Sequence, residues 1–241
     1  MAVAGLAAAQ APTGGAPPQG YVATGRAVVF TPGGSLGGPI RIEVWGSRHC
    51  RITIDLPGGQ RYQRVVNYPG FSEVGPPGVA QALPPGGLGE NCDLLTQGLS
   101  WGDLASGGAL ARDLGPSPAE GGDASAGHRY LVYRPAPANF DGSGAARIAK
   151  ASSVTIDVDG TTGFPERAVF TAATGQTVED DYSGYRSSGA APFASRVEQL
   201  VNGERRLVVD LDRLAVRPGF TSQDFALPPG PPPRAPRQGE R

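Results

Sequence analysis

Several residue types that usually do chemistry or carry charge are scarce in this chain. Of its 21 basic residues only Lys150 is lysine, and the formal net charge is -1. A balanced, slightly acidic chain has no field to hold a phosphate backbone, so nucleic acid is excluded as the expected partner. The arginine bias is what G/C-rich codons produce. Histidine is limited to His49 and His128, and cysteine to Cys50 and Cys92. Neither paired C-x2-C nor H-x3-H spacing occurs. His49 and Cys50, as neighbours in a strand, would point to opposite faces, so no metal and no cofactor are expected. An even cysteine count admits one disulfide in an oxidising compartment; two unrelated buried thiols are the alternative. No apolar run approaches the roughly 18 residues that a membrane-spanning helix needs. Aromatic residues are only 7% of the chain, so each one present is wanted for packing.

Glycine and proline are abundant, 37 and 24 residues, together about a quarter of the chain. At that level low-complexity segments are expected. They concentrate at the ends and in the middle. Residues 1–20 read as the remnant of a secretory signal or a disordered tail. MAVAGLAAAQA is a short apolar stretch with small residues at Ala7-Ala8-Ala9 or Ala9-Gln10-Ala11, although a basic leading region is lacking. This predicts export, to the periplasm or outside the cell. No cysteine near that end offers a lipid anchor. Residues 229–241 are a Pro-rich disordered tail, and 21–228 read as one domain with 107–127 as a mobile loop.

Within 21–228 the dominant signal has period two. Gly25–Phe30 reads as a strand and Thr31–Pro39 as a Gly-rich loop. Ile40, Ile42 and Val44 alternate with Arg41, Glu43 and Trp45. Ile52, Ile54 and Leu56 alternate with Arg51, Thr53 and Asp55. Such alternation puts apolar side chains on one sheet face and polar ones on the other. Pro57-Gly58-Gly59 turns the chain into a strand over 60–67. Asn91–Leu104 is the best candidate helix, with Asn91 as N-cap and Leu94, Leu95, Leu99 and Trp101 on one face, weakened by Gly98 and Gly102.

The last third is the most regular. Val154, Ile156 and Val158 alternate with Thr155, Asp157 and Asp159, which share a parity expected to face water. Strands follow over 166–172, 177–185, 194–201 and 205–217. Asn202-Gly203 is a hairpin signal, because a type I′ turn needs positive φ at both central positions. Leu207, Val209 and Leu211 keep one phase, and Leu214 and Val216 take the other, which predicts a β-bulge near Asp212 or Arg213. The connections are too short for crossover helices, so pairing should be antiparallel. The expected fold is mainly β, a half-open antiparallel barrel of ten or eleven strands with one or two short helices as cover.

Little of this suggests an enzyme. Gly33-Gly34-Ser35-Leu36-Gly37 matches a nucleophile elbow, but that elbow needs a helix after it, and here Gly38-Pro39 and a strand follow. Asp157, Asp159, Asp180 and Asp181 could serve as paired carboxylates or hold calcium. The solvated side of an amphipathic hairpin accounts for them more simply. Trp45 and Trp101 could line a ligand mouth or simply pack.

From Asp181 the chain reads DYSGYRSSGAAPFASRVEQLVNGERRLVVDLDRLAVRPGFTSQDFALP. Tyr185-Arg186, Gly189, Pro192-Phe193, Asn202-Gly203, Pro218-Gly219 and Phe225-Ala226-Leu227-Pro228 follow one another in an order that resembles exported bacterial proteins of the LolA and LolB type, outer-membrane lipoprotein-sorting carriers. Gly184 stands where that family commonly has Asp, and Arg217 where it has Asn. The resemblance implies an incomplete antiparallel barrel wrapped around helices, with a concave apolar cavity for acyl chains. On that reading the chain binds or carries a hydrophobic ligand, a lipid or an acylated lipoprotein, without catalysis. The contacts would be Ile52, Ile54 and Leu56, then Val154, Ile156 and Val158, then Leu207 and Val209, with Leu95, Leu99 and Trp101 from the cover. The alternatives are an envelope sensor or protein-interaction module with a closed core, docking another envelope protein through an edge strand or the Pro-rich tail, and a hydrolase using Ser35.

Overall fold

The computed structural model describes residues 20–46, 49–67, 70–76, 78–79, 110–117, 127–133, 142, 153–172, 175–187 and 192–227. Their backbone forms one twelve-stranded antiparallel sheet. The strands are β1 (Gly20–Thr31), β2 (Gly34–Trp45), β3 (His49–Asp55), β4 (Arg61–Asn67), β5 (Gly70–Val74), β6 (Leu110–Pro116), β7 (His128–Tyr133), β8 (Val154–Val158), β9 (Pro165–Thr171), β10 (Thr177–Ser187), β11 (Pro192–Val201) and β12 (Glu204–Val216). Their spatial order is β5-β4-β3-β2-β1-β12-β11-β10-β9-β8-β7-β6. All neighbours except the central pair β1 and β12 are consecutive in sequence. That one non-local pairing joins a β1–β5 meander to a β6–β12 meander. β5 and β6 are the two ends and do not pair, so the sheet stays open.

The sheet has one apolar and one polar face. Alternation puts Val29, Ile42, Ile54, Ile156, Val178 and Val209 on the same side, each at most 1% exposed, in one continuous cluster. This is the inner face. Each Val, Leu or Ile side chain so buried contributes roughly 1.5–3 kcal/mol, which is what orders a chain so rich in glycine. Cys50 is on this face, fully buried and disulfide-bonded. Cys92, the only other cysteine in the chain, lies outside the described residues.

The outer face is held by charge. Arg129, Asp157, Arg167, Asp181 and Glu198 are successive cross-strand partners over β7–β11. The first three pairs are of opposite charge, and each such pair supports a sheet by a fraction of a kcal/mol to about 1 kcal/mol. Asp181 and Glu198 are both acids, and Glu198 is paired with Arg205 instead. Arg129 grips Asp157 with two hydrogen bonds, Nε to Oδ1 at 2.6 Å and Nη2 to Oδ2 at 2.7 Å. Asp157 is therefore not in water as its parity suggested. It faces outward, yet only 5% of it is exposed, because the Arg129 guanidinium lies against it.

At the opposite end of the outer face a smaller apolar patch forms where the chain returns after β12. Val65, Phe220 and Phe225 are buried together, with Val22 and Trp45 against them. The short 3-10 segment Ser222–Phe225 packs on β3 and β4 and is closed by a capping box between Thr221 and Asp224. Trp45 lies against His49 with ring centroids 4.7 Å apart and the planes tilted by 41°, and Phe225 lies 6.0 Å from His49. Trp45 is therefore a packing residue of the outer face. His49 and Cys50 do take opposite faces.

The bulge read from the phase slip is present. Thr24 pairs with Arg213 and Gly25 with Leu211, which leaves Asp212 as the extra residue. Leu211 and Leu214 are thereby both buried on the inner face. Asn202-Gly203 makes the β11–β12 turn with φ of 52° and 79°. Three expectations fail. Thr31–Pro39 is not a loop: the turn is confined to Pro32 and Gly33, and β2 already pairs with β1 from Gly34 opposite Thr31. A partner strand at full register outweighs the weak strand preference of glycine. Within 107–127, Leu110–Pro116 is the edge strand β6, paired with β7 from Leu110↔Tyr133 to Pro116↔His128. Its alternation is broken by the bulge between Asp113 and Gly115, so sequence period alone concealed it. Five-residue β5, directly after Pro69, was not foreseen, which brings the count to twelve. The expected helix at Asn91–Leu104 and both tails beyond 20–227 lie outside the described residues.

Candidate ligand-binding face

Eight of the eleven residues singled out as hydrophobic contacts share the inner face. Ile52, Ile54 and Leu56 come from β3 and the residue after it, Val154, Ile156 and Val158 from β8, and Leu207 and Val209 from β12; all are buried in the same cluster. Leu95, Leu99 and Trp101 lie outside the described residues. Register brings the separate groups together. Ile156 pairs with Ala168, Ala168 with Asp180, Asp180 with Gln199, Gln199 with Leu207 and Leu207 with Val29. One row of side chains therefore crosses six strands and joins β8 to β1.

That row carries the polar feature which sequence reading placed wrongly. Asp180 is not on the solvated side of its hairpin. It occupies the apolar phase of β10, between Val178 and Tyr182, and is 1% exposed. Gln199 Nε2 donates to its Oδ1 at 2.8 Å, and Oδ2 has no partner. Burial pushes its carboxyl up to about 7, the Gln199 hydrogen bond opposes this, and Asp181 and Glu179 add to it. The signal was present in sequence: Val178, Asp180 and Tyr182 share one parity, and Asp181 has the other.

Two further polar groups border the face. On β4 and β5, Tyr62 donates to Glu73 Oε1 at 2.5 Å and Arg64 Nη2 to the same oxygen at 3.1 Å. Burial raises the Tyr62 hydroxyl well above its ordinary value. On β10, Gly184 adopts φ 63° opposite Ser195 with the register unchanged, and the next residue, Tyr185, packs against the inner cluster. A side chain at Gly184 would be forced to within 2.6 Å of Ser195 Oγ, which donates to the Gly184 carbonyl. The positive φ and this contact together favour glycine at the position. Tyr185 stacks on Phe164 at 4.5 Å and donates to the Pro165 carbonyl at 2.6 Å.

Groups considered for catalysis or metal binding are dispersed. Ser35 is the second residue of β2 and runs on into strand, without the helix a nucleophile elbow requires. Asp159 sits in the β8–β9 turn, accepting from Thr161 and Thr162, which holds its carboxyl below the ordinary value. Asp181 pairs outward with Arg167. Among the described residues no three His, Cys, Asp or Glu side chains stand together as a metal set.

No family model matches the chain, and no curated protein matches it. Solved structures do. An outer membrane lipoprotein-sorting protein domain from Vibrio parahaemolyticus superposes with TM-score 0.52 at 10% identity, over 86% of this chain and 88% of that one. A LolA superfamily protein from Nitrosomonas europaea gives 0.51 at 12% identity, over 88% and 91%. A DUF1329 family protein from Desulfovibrio piger gives 0.54 at 11% identity, over 92% and 93%. At these identities the likeness is one of fold: the chain has the LolA-like half-open sheet that its 181–228 block resembles. No helix among the described residues is long and apolar enough to cross a membrane.

Proposed function

We propose that this protein binds and carries a hydrophobic ligand, a lipid or the acyl chains of a lipoprotein, in the periplasm and without chemical conversion. The observation that carries the reading is the continuous aliphatic cluster on the inner face of an open sheet, broken at its centre by Asp180 and Gln199, on a fold shared with a lipoprotein-sorting domain. Transfer of an acyl chain onto such a face gains roughly 0.8 kcal/mol per buried methylene, enough for reversible carriage by a few partly buried chains. Ile52, Ile54, Leu56, Val154, Ile156, Val158, Leu207 and Val209 would be the sheet's contacts, with Leu95, Leu99 and Trp101 as the remaining ones.

The second reading is an interaction module with a closed core. Its support is that the same eight sheet residues are at most 6% exposed. Native mass spectrometry with organic extraction, on protein purified from a bacterial periplasm, separates the two. Carriage predicts co-purifying lipid or acylated peptide, lost in a folded variant with Leu99→Asp. A clean apo mass together with no uptake of a fluorescent fatty-acid probe would transfer the case to the interaction module.

A further inference from the structure

We propose that Asp180 and Gln199 form a polar subsite on the inner face that receives the carbonyl group of an ester- or amide-linked acyl chain; this rests on the carrier reading above. Four of the six residues in the row that crosses the face are aliphatic, and Asp180 and Gln199 are adjacent at its centre, flanked by Ala168 and Leu207. Apart from the Tyr182 hydroxyl, the side of the pair toward the face is apolar: Val178 and the Tyr182 ring on the same strand, Ala168 and Phe170 on β9, Val197 and Val201 on β11. The charged neighbours Glu179, Asp181, Arg167 and Glu198 belong to the opposite parity and pair with one another or with Arg205 on the outer face. No cation among these neighbours is turned toward the carboxyl.

A carboxyl so placed is largely the neutral acid at pH 6, since an isolated buried charge is far costlier than a buried proton donor. Gln199 already occupies Oδ1. The remaining Oδ2 then presents an O–H with nothing to accept it, and an unmet buried donor costs about as much as a lost hydrogen bond. A ligand carbonyl supplies the missing acceptor, and chains attached to it extend along the aliphatic row on either side. An alkyl ether offers no comparable acceptor. A free fatty carboxylate would bring a charge onto a buried face with no cation turned toward it. The chemical class selected is therefore the neutral acyl ester or amide.

The test uses the full chain at pH 6 and displacement of a polarity-sensitive fluorescent dye by three twelve-carbon probes: monolauroylglycerol, the corresponding dodecyl glyceryl ether, and dodecylamine. The ester should displace the dye at on the order of fivefold lower concentration than the ether, the effect of one hydrogen bond. Asp180→Leu should bring the ester to the level of the ether and leave the ether unchanged. Asp180→Asn, which restores an N–H donor, should keep most of the preference. Equal displacement by ester and ether in the unaltered protein, or stronger displacement by the amine, overturns the subsite while leaving carriage intact. Failure of all three probes to compete, or of the dye to bind, defeats the carrier reading and the subsite with it. The ratio in the unaltered protein decides the matter even where a variant does not fold.

Discussion

A Cβ placed on Gly25 would lie 2.0 Å from the carbonyl oxygen of Asp210. The contact is backbone, so nothing flexible can yield. It occurs where β1 meets the bulged segment of β12, the one non-local pairing that joins the two halves of the sheet. Gly25→Ala is expected to cost about 3 kcal/mol, because the strands must part to admit a methyl group. Gly37→Ala, on the neighbouring strand with its nearest contacts at 3.5 Å, should cost less than about 1 kcal/mol. Urea unfolding of both variants checks the contrast, and equal stabilities would contradict it.

Asp180 makes stability pH-dependent. Its carboxyl titrates near 7 when folded, against roughly 3.9 in an unfolded chain. The folded state thus retains a proton that the unfolded state releases. The resulting stabilisation is complete below about pH 4 and is lost as pH rises to about 7, on the order of 4 kcal/mol in all. Glu166, raised first by burial and then by Asp159 and Asp157, slopes the same way, so the comparison must be between variants. Asp180→Asn should be more stable than the parent at pH 8, and the gap should close toward pH 4. Thermal melts across that range measure it; a gap that does not change with pH would show that Asp180 ionises normally.

Arg129 and Asp157 test how far the outer face depends on paired charge. Arg129→Met leaves a nearly buried carboxylate with Arg167 as its remaining cationic neighbour. The expected loss is about 2 kcal/mol, below the usual cost of orphaning a buried charge because Arg167 remains. Asp157→Asn combined with Arg129→Met should recover part of it. A double-mutant cycle reads the coupling, and additivity would mean the pair is merely adjacent.

The outer apolar patch should matter for stability and not for uptake. Phe225 is fully buried, with Phe220 at 5.2 Å and His49 at 6.0 Å. Phe225→Ala is expected to cost about 3 kcal/mol. Trp45 contacts His49, which in turn contacts Phe225, so its emission should change, in a Trp101→Phe background that isolates it. Uptake of a fatty-acid probe per folded molecule should be unchanged. Loss of uptake would place ligand contact on the outer face.

Much of the sheet was legible in the sequence because side-chain parity is a local property. Ile52-x-Ile54, Val154-x-Ile156-x-Val158 and Leu207-x-Val209 declare their face without knowledge of any neighbour. The bulge at Asp212 showed as a phase slip, and Asn202-Gly203 as a turn that needs two positive φ values. Turn residues and strand ends also carried the LolA-like resemblance, and these depend on local backbone geometry rather than on which side chains fill the face.

Parity could not decide what covers a side chain. Asp157 has the outward parity its position suggests, yet Arg129 from another strand excludes water from it. Asp180 and Asp181 are adjacent acids whose parity sends them to opposite faces, and only the pairing of β10 with β9 and β11 decided that one meets Gln199 and the other Arg167. The β1–β12 pairing and edge strand β6 likewise depend on contacts between distant segments, and no residue carries a local trace of them. Sequence determined which way side chains point; tertiary structure decided what they meet, because burial and hydrogen-bond partners belong to pairs of strands and not to one.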